Sequence, residues 1–94
     1  MTHDSAKIPV GILGATGMVG QRFVQLLSCH DKFEIKALGA SERSSGKPYR
    51  EACVNWKQQT EIPAKVADII LVPCVSANFK ECKIVFSGKL SFFQ

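Results

Sequence analysis

Three glycines at G-x-x-G-x-x-G spacing, Gly14, Gly17 and Gly20, constrain the fold of this 94-residue chain more than any other feature. Residues 7–13, directly before them, are largely apolar and include several β-branched side chains. Such a short apolar run is typical of a strand that is buried on both faces of a sheet. The glycines therefore predict a tight turn at the end of a buried strand.

The residues after the glycines change from strand spacing to helix spacing, because apolar residues now recur every three or four positions. We expect this helix to end near residue 28 or 29. The face that we expect to be buried carries Val19, Phe23, Leu26, Leu27 and His30. The opposite face carries Gln21, Arg22, Gln25 and Ser28.

Each glycine has a separate task in a strand-turn-helix unit of this kind. Gly14 can adopt the backbone angles of the turn, Gly17 lets the main chain approach a bulky anion, and Gly20 lets the helix lie close to the strand. The helix begins with N–H groups that have no partner in the helix, and these attract an anion such as a pyrophosphate. The motif in this context predicts a dinucleotide-binding unit, with a purely structural turn as the alternative.

A second strand over residues 33–40 completes a β-α-β unit with a right-handed crossover and parallel strands. The loop after it decides which dinucleotide is expected, because an acidic residue there suits NAD and a basic residue suits the 2′-phosphate of NADP. Arg43 can donate two hydrogen bonds to such a phosphate, and Ser41 and Ser44 add hydroxyl groups. The loop therefore favours NADP. Glu42 is the objection, and we expect its side chain to point outward.

The rest of the chain contains two further strand candidates, residues 68–73 and residues 82–88, with a helical turn predicted over residues 76–79 between them. Residues 48–65 carry only apolar or turn-forming islands in a polar run, and we expect Trp56 to be a packing anchor. The strand beside the first one ends next to the cofactor in such sheets, which makes Ser87 and Gly88 candidate neighbours of the dinucleotide. These elements predict an α/β fold, a partial Rossmann domain with a doubly wound parallel sheet of about four strands.

Composition narrows the function further. The formal net charge of +4 comes from twelve basic and eight acidic residues without a basic run, which favours an ordinary solvated surface over nucleic-acid binding. No apolar stretch approaches the roughly 18–20 residues that cross a membrane, and the first seven residues lack the apolar core of a signal peptide. Cys29, Cys53, Cys74 and Cys82 form no C-x-x-C pair, so we expect reduced, mostly buried thiols, no metal site and a cytoplasmic location.

Four segments, residues 14–23, 40–49, 54–57 and 79–88, together resemble the N-terminal NADP-binding domain of aspartate-semialdehyde dehydrogenases of the fungal and archaeal-like branch. The resemblance covers roughly residues 7–88. It implies an oxidoreductase that uses NADP and phosphate to interconvert L-aspartate 4-semialdehyde and 4-aspartyl phosphate, on the route to lysine, threonine, methionine and isoleucine. The cofactor-binding residues that it implies, together with the turn glycine, are Gly14, Thr16, Gly17, Met18, Val19, Ser41, Arg43, Ser44, Ser87 and Gly88.

The resemblance also implies what the chain does not carry. Members of the family use a cysteine nucleophile that follows an asparagine, a histidine base and substrate-binding arginines, all in a later domain. The four cysteines here follow Ser, Ala, Pro or Glu, so we expect no catalytic residue and no activity of this polypeptide alone. Residues 1–6 are predicted to be a disordered start, residues 7–88 the incomplete NADP-binding domain, and residues 89–94 a divergent tail of a truncated product.

Other interpretations are open. A short-chain or epimerase-type dehydrogenase has similar glycines but needs Tyr-x-x-x-Lys, and Tyr49 is followed four residues later by Cys53. Acetylglutamyl-phosphate reductase shares the turn but is not expected to show the segments at residues 41–47 and 54–57. A non-catalytic dinucleotide-binding or interaction module is the alternative from a different class. Such a module would pair with full-length subunits, or with itself, through the exposed edge of the fourth strand.

Overall fold

The computed structural model describes residues 7–88. The strands are β1 (Ile8–Leu13), β2 (Phe33–Ala40), β3 (Val72–Pro73) and β4 (Ile84–Ser87), and the helices are α1 (Met18–Ser28), α2 (Tyr49–Ala52) and α3 (Ala64–Ala67), with a 3₁₀ turn at Ser76–Phe79. All strands pair in parallel in the order β3-β2-β1-β4. The predicted α/β fold with a parallel sheet of four strands and a Rossmann-type crossover is confirmed.

The core lies between the central strand β1 and helix α1. Val10 and Ile12 of β1 are fully buried, as is Val24 of α1, and Leu27 lies with them in the same apolar cluster. Burial of each such side chain contributes about 1.5–3 kcal/mol relative to exposure. Strand β1 lies between β2 and β4, and α1 packs on the face that carries Val10 and Ile12. These positions are apolar because they have no access to water.

Strand β2 keeps an apolar face by means of a bulge. Val10 pairs with Ile35, but the next residue of β1, Gly11, pairs with Ala37, so the register advances by one extra residue. Side chains alternate between faces in a strand, and one extra residue reverses the alternation. For this reason Ile35 and Leu38 both face the core although they are an odd number of residues apart.

The other face of the sheet is covered by the 3₁₀ turn, as the sequence predicted for residues 76–79. The ring of Phe79 is buried and lies directly over Gly11 and Gly39 of the two central strands. A side chain at either glycine would displace that ring, since a Cβ on Gly11 would lie 2.5 Å from Phe79 Cδ2. Small residues in β1 and β2 thus let a short element close this face.

The predicted buried face of α1 is wrong for most of its residues, although Leu27 is buried as expected. The buried residues are Gly20, Gln21, Val24, Leu27 and Ser28, whereas Val19 and Leu26 are exposed on the surface and Phe23 is only half-buried. His30, which was expected to continue that face, is also exposed. The reason is the close contact of Gly20 with the strand end, which rotates the helix about one residue away from the side that apolar spacing alone selects.

The predicted third strand over residues 68–73 is also wrong in its extent. Only Val72–Pro73 pair with β2, while Asp68 ends α3 and Ile70 forms an isolated antiparallel bridge with Pro48. Residues 69–71 instead bond to the segment that leads into α2, through Tyr49 N–H to Ile69 O at 2.9 Å and Leu71 N–H to Lys47 O at 2.9 Å. The fourth strand lies beside β1 as predicted, and it begins at Ile84.

The remaining sequence-based expectations have mixed outcomes. The predictions for residues 1–6 and 89–94 lie outside the described residues. The expectation of mostly buried thiols holds for Cys53, but Cys29 is exposed and the other two cysteines are half-buried. Within residues 7–88, no helix is long and apolar enough to cross a bilayer, and no three metal-ligating side chains cluster.

We expect Gly20→Ala to destabilise the fold by about 3 kcal/mol, because the added methyl group meets backbone atoms that cannot move aside. Its Cβ would lie 2.0 Å from Gly14 O and 2.8 Å from Ala15 Cα. Urea unfolding followed by circular dichroism measures the loss. Gly17→Ala is the matched control, since the nearest atom to its Cβ is 3.7 Å away. Equal unfolding midpoints for the two variants would contradict this account of the helix rotation.

Candidate functional site

The junction of β1 and α1 is a tight turn that is bonded to the sheet. Gly14 has φ of 67°, a left-handed conformation that L-residues with a Cβ rarely adopt. Gly17 N–H donates to Gly14 O at 3.2 Å and closes the turn. Ala15 N–H donates to Gly39 O at 3.0 Å, so the turn is also tied to β2. These bonds hold the start of α1 directly above the ends of the two central strands.

A cleft of about 420 Å³ opens in front of this turn, at the carboxyl ends of β1, β2 and β4. This is the crevice between β1 and β4, on either side of which the strand order runs in opposite directions, and it is where open parallel sheets bind ligands. Helix α1 starts at the cleft, and its N-cap, Gly17, provides no side chain to bond the first N–H groups. The lining residues are Gly14, Thr16, Gly17, Met18, Val19, Ala40, Ser41 and Gly88.

The loop after β2 forms a compact turn beside the cleft. Ser44 and Ser45 both donate backbone N–H groups to Ser41 O, at 3.0 and 2.9 Å, and Ser41 lines the cleft. Arg43 is exposed, and no hydrogen bond or ion pair engages its guanidinium within the described part of the chain. Glu42 is exposed too, as expected. The loop therefore carries an exposed guanidinium.

The structure brings together most of the predicted cofactor-binding residues but not all of them. Arg43, Ser44 and Ser87 do not line the cleft. Ser44 is half-buried in the loop turn, and Ser87 is exposed in β4 opposite Leu13. Gly88 does line the cleft, where its N–H donates to Leu13 O at 2.7 Å. The assignment of these residues to a cofactor remains a prediction.

Two fully buried side chains behind the turn were missed by sequence reasoning. The Tyr49 hydroxyl donates to Ala15 O at 2.7 Å, and Gln21 Nε2 donates to Thr16 O at 2.9 Å. Burial, with a smaller contribution from neighbouring Cys53, raises the pKa of Tyr49 well above its usual value, so the hydroxyl keeps its proton. Burial also raises the pKa of the Cys53 thiol. A glutamine directly after the third glycine is the one sequence feature that could have pointed to this arrangement.

Ala40 was missed as well, although it is the last residue of β2 and so stands where cofactor contacts are expected.

A second hollow, of about 560 Å³, lies at the other end of the strands, where β1 and β2 begin. It is formed where Lys7 precedes β1 and where α1 ends at Leu27 and Ser28. Parallel sheets bind ligands at the carboxyl ends of their strands, which favours the smaller cleft as the functional site.

Comparison with known proteins identifies relatives of this chain. The family model for the NAD-binding domain of semialdehyde dehydrogenase matches residues 9–90. The chain is 60% identical over 84 residues to the aspartate-semialdehyde dehydrogenase of Saccharomyces cerevisiae, covering 89% of this chain and 23% of that enzyme. It is 48% identical over 81 residues to the enzyme of Methanothermobacter thermautotrophicus, covering 86% of this chain and 23% of the relative.

A solved structure shows the same fold. The crystal structure of aspartate semialdehyde dehydrogenase with NADP from Candida albicans matches with a TM-score of 0.85 and 51% sequence identity. The match covers 90% of this chain and 24% of that chain. The chain therefore spans about a quarter of the length of the proteins to which it is similar.

Proposed function

The chain belongs to the family of semialdehyde dehydrogenase NAD-binding domains, and from this membership we propose that residues 7–88 bind NADP for the reduction or oxidation of aspartate semialdehyde. The observation that carries the proposal is the cleft in which Gly14, Gly17 and the uncapped start of α1 meet the ends of three parallel strands. The NADP complex of the Candida albicans relative, at 51% identity, supports the choice of cofactor.

The proposed division of labour follows from the chemistry of each part of the cleft. The pyrophosphate lies against the turn and the first N–H groups of α1, next to Thr16, Gly17, Met18 and Val19. The 2′-phosphate lies at the loop of Ser41, Arg43 and Ser44, where a guanidinium can donate two parallel hydrogen bonds. Ser87 and Gly88 approach the nicotinamide side. When bound, NADP supplies hydride transfer, and this chain holds and orients it.

The proposed reaction is the NADP- and phosphate-dependent interconversion of L-aspartate 4-semialdehyde and 4-aspartyl phosphate, in the biosynthesis of lysine, threonine, methionine and isoleucine. The names of the relatives support this substrate. A cytoplasmic location is part of the proposal. It is supported by the free thiols of the four cysteines, since a reducing compartment keeps cysteines unpaired.

We expect NADP to bind more tightly than NAD, and Arg43→Ala to remove most of the difference. A charge-assisted hydrogen-bond pair to the 2′-phosphate contributes about 1.5–3 kcal/mol, or roughly 10- to 150-fold in Kd. Isothermal titration of the 94-residue chain with both dinucleotides measures the ratio. Arg22→Ala is the matched control, because Arg22 is an exposed arginine of α1 that bonds Gln25 instead of facing the loop. Equal affinities of the unmutated chain for NADP and NAD would refute the assignment of Arg43.

The 94-residue polypeptide alone is expected to have no dehydrogenase activity, because none of its cysteines follows an asparagine as the family's nucleophile does. The assay supplies purified chain with L-aspartate 4-semialdehyde, phosphate and enough NADP to saturate the protein. It follows the absorbance of NADPH. Absorbance should stay at the level of a blank without protein. Any turnover above that blank that scales with protein concentration would show that these residues contain a catalytic group.

A second candidate function, as a module that associates with copies of itself or with full-length subunits, is favoured by one exposed apolar surface. Met18, Val19 and Leu26 are exposed on α1, and Ile84, on the same face of the sheet as Phe86, is exposed on β4, which is an edge strand among the described residues. The rings of Phe23 and Phe86, 5.2 Å apart, join the two parts. Edge strands flanked by apolar side chains recruit other chains.

We expect the isolated chain to self-associate at micromolar concentration and Ile84→Lys to weaken association about tenfold, since burial of its exposed part contributes about 1.5 kcal/mol. Sedimentation velocity over a range of concentrations measures this. Val54→Lys is the control, because Val54 is 84% exposed and distant in sequence from both parts of the surface. A monodisperse monomer that melts cooperatively above about 60 °C would contradict the module hypothesis.

A further inference from the structure

The turn in front of α1 has two central carbonyl groups that could face either the cleft or the protein interior. The turn runs from Gly14 to Gly17 and is closed by the bond between these two glycines, which leaves Ala15 O and Thr16 O as the oxygens of its central residues. An oxygen that turned toward the cleft would repel the oxygens of a bound pyrophosphate. The orientation of these two peptide groups therefore decides whether the turn can accept an anion.

Tyr49 holds the first of these carbonyls. Its side chain is fully buried, and its hydroxyl donates to Ala15 O at 2.7 Å. The residue itself is held in place at the start of α2 by the bond from Tyr49 N–H to Ile69 O at 2.9 Å, and its ring packs edge-on against Trp56. A buried phenol with a fixed backbone has little freedom, so the Ala15 carbonyl is bound from a rigid support.

Gln21 holds the second carbonyl. Its amide is fully buried, with Nε2 donating to Thr16 O at 2.9 Å and Oε1 accepting from Lys57 N–H at 2.8 Å. A backbone N–H can only donate, which requires Oε1 to face Lys57 and therefore Nε2 to face the turn. Both ends of the side chain are thus satisfied, and the amide links the turn to the segment after α2.

Both carbonyls consequently point away from the cleft. Neither Tyr49 nor Gln21 lines it, and both side chains lie in the interior behind the turn. In a trans peptide the C=O and the following N–H point in opposite directions, and residues 7–88 contain no cis peptide. The N–H of Thr16 is therefore directed away from Tyr49, toward the side of the turn on which the cleft lies.

We propose that Tyr49 and Gln21 are positioning residues that hold the turn in the orientation required for the pyrophosphate of the cofactor. This inference rests on the proposed function, because it assumes that NADP is the ligand of the cleft. It assigns a role to the segment after β2, which contributes Tyr49 and, through Lys57, the anchor of Gln21. The segment supports the site from behind without touching the ligand.

The test compares Gln21→Met and Tyr49→Phe with Gln25→Met in the full 94-residue chain. Phe keeps the ring, so Tyr49→Phe removes mainly the hydrogen bond to Ala15 O. Met keeps the length of glutamine, and Gln21→Met removes the bond to Thr16 O together with the bond from Lys57 N–H. Gln25 lies one turn further along α1 and bonds Thr60 Oγ1 at the surface, which makes it the matched control. We expect each of the two test variants to bind NADP about tenfold more weakly, because a displaced turn loses about one charge-assisted hydrogen bond from its backbone N–H groups to the pyrophosphate. The control is expected to bind as the wild type does.

A second ligand separates a positioning role from general loss of structure. Adenosine 2′-monophosphate carries the 2′-phosphate but no pyrophosphate, so we expect all variants to bind it with unchanged affinity. Ligand-observed NMR measures that affinity at temperatures where circular dichroism shows each variant to be folded. Amide hydrogen exchange of Gly17 in the cofactor-free chain is expected to be faster in both test variants, because the turn that its N–H closes is no longer held.

The outcomes are distinct. Tight NADP binding by the wild type and equally tight binding by both test variants overturns the positioning role and leaves the proposed function intact. Equal losses for NADP and adenosine 2′-monophosphate, or an equal loss in Gln25→Met, also overturn it. A wild-type chain that binds no NADP overturns the proposed function and this inference together. If Gln21→Met does not fold, Tyr49→Phe alone decides between these results.

Discussion

The contact on which the structure depends is the one between two stretches of bare backbone, Gly20 in the first turn of α1 and the Gly14–Ala15 peptide at the end of β1. A Cβ on Gly20 would lie 2.0 Å from Gly14 O, so no side chain fits between helix and strand. This proximity decides which side of α1 faces the sheet, and it places the start of the helix above the strand ends. The core and the cleft both follow from the resulting position of α1.

In the proposed mode of binding, recognition of the pyrophosphate depends mainly on backbone groups and not on charged side chains. None of the eight lining residues is ionisable, and the positive end of the α1 dipole, together with its uncapped N–H groups, supplies the attraction. Such groups must be oriented before the ligand arrives, because they cannot rearrange as long side chains do. The buried donors Tyr49 and Gln21 provide that orientation, while the choice between NADP and NAD is the role proposed for Arg43, whose side chain is exposed.

The sequence was a good guide wherever local patterns and backbone freedom decide the outcome. The strand before Gly14, the helix after Gly17, the crossover to β2 and the position of β4 beside β1 were all predicted. It was a poor guide to residues 48–71, where strand-like residues such as Ile69 and Ile70 pair with a loop instead of β2. Apolar composition identifies a segment that can pair but does not identify its partner, which depends on contacts between distant residues.

The sequence by itself determined the strand-turn-helix unit, because glycine spacing and a change of apolar period act within a few residues of the chain. Only the tertiary structure decided how that unit is oriented and supported. Gln21 was expected on the polar face of α1, yet it is fully buried because Gly20 rotates the helix and because Thr16 O and Lys57 N–H satisfy its amide. Tyr49 likewise acquires its role from Ala15, 34 residues earlier in the chain. A buried polar group is stable only where it forms hydrogen bonds, and the fold decides which partners lie within reach.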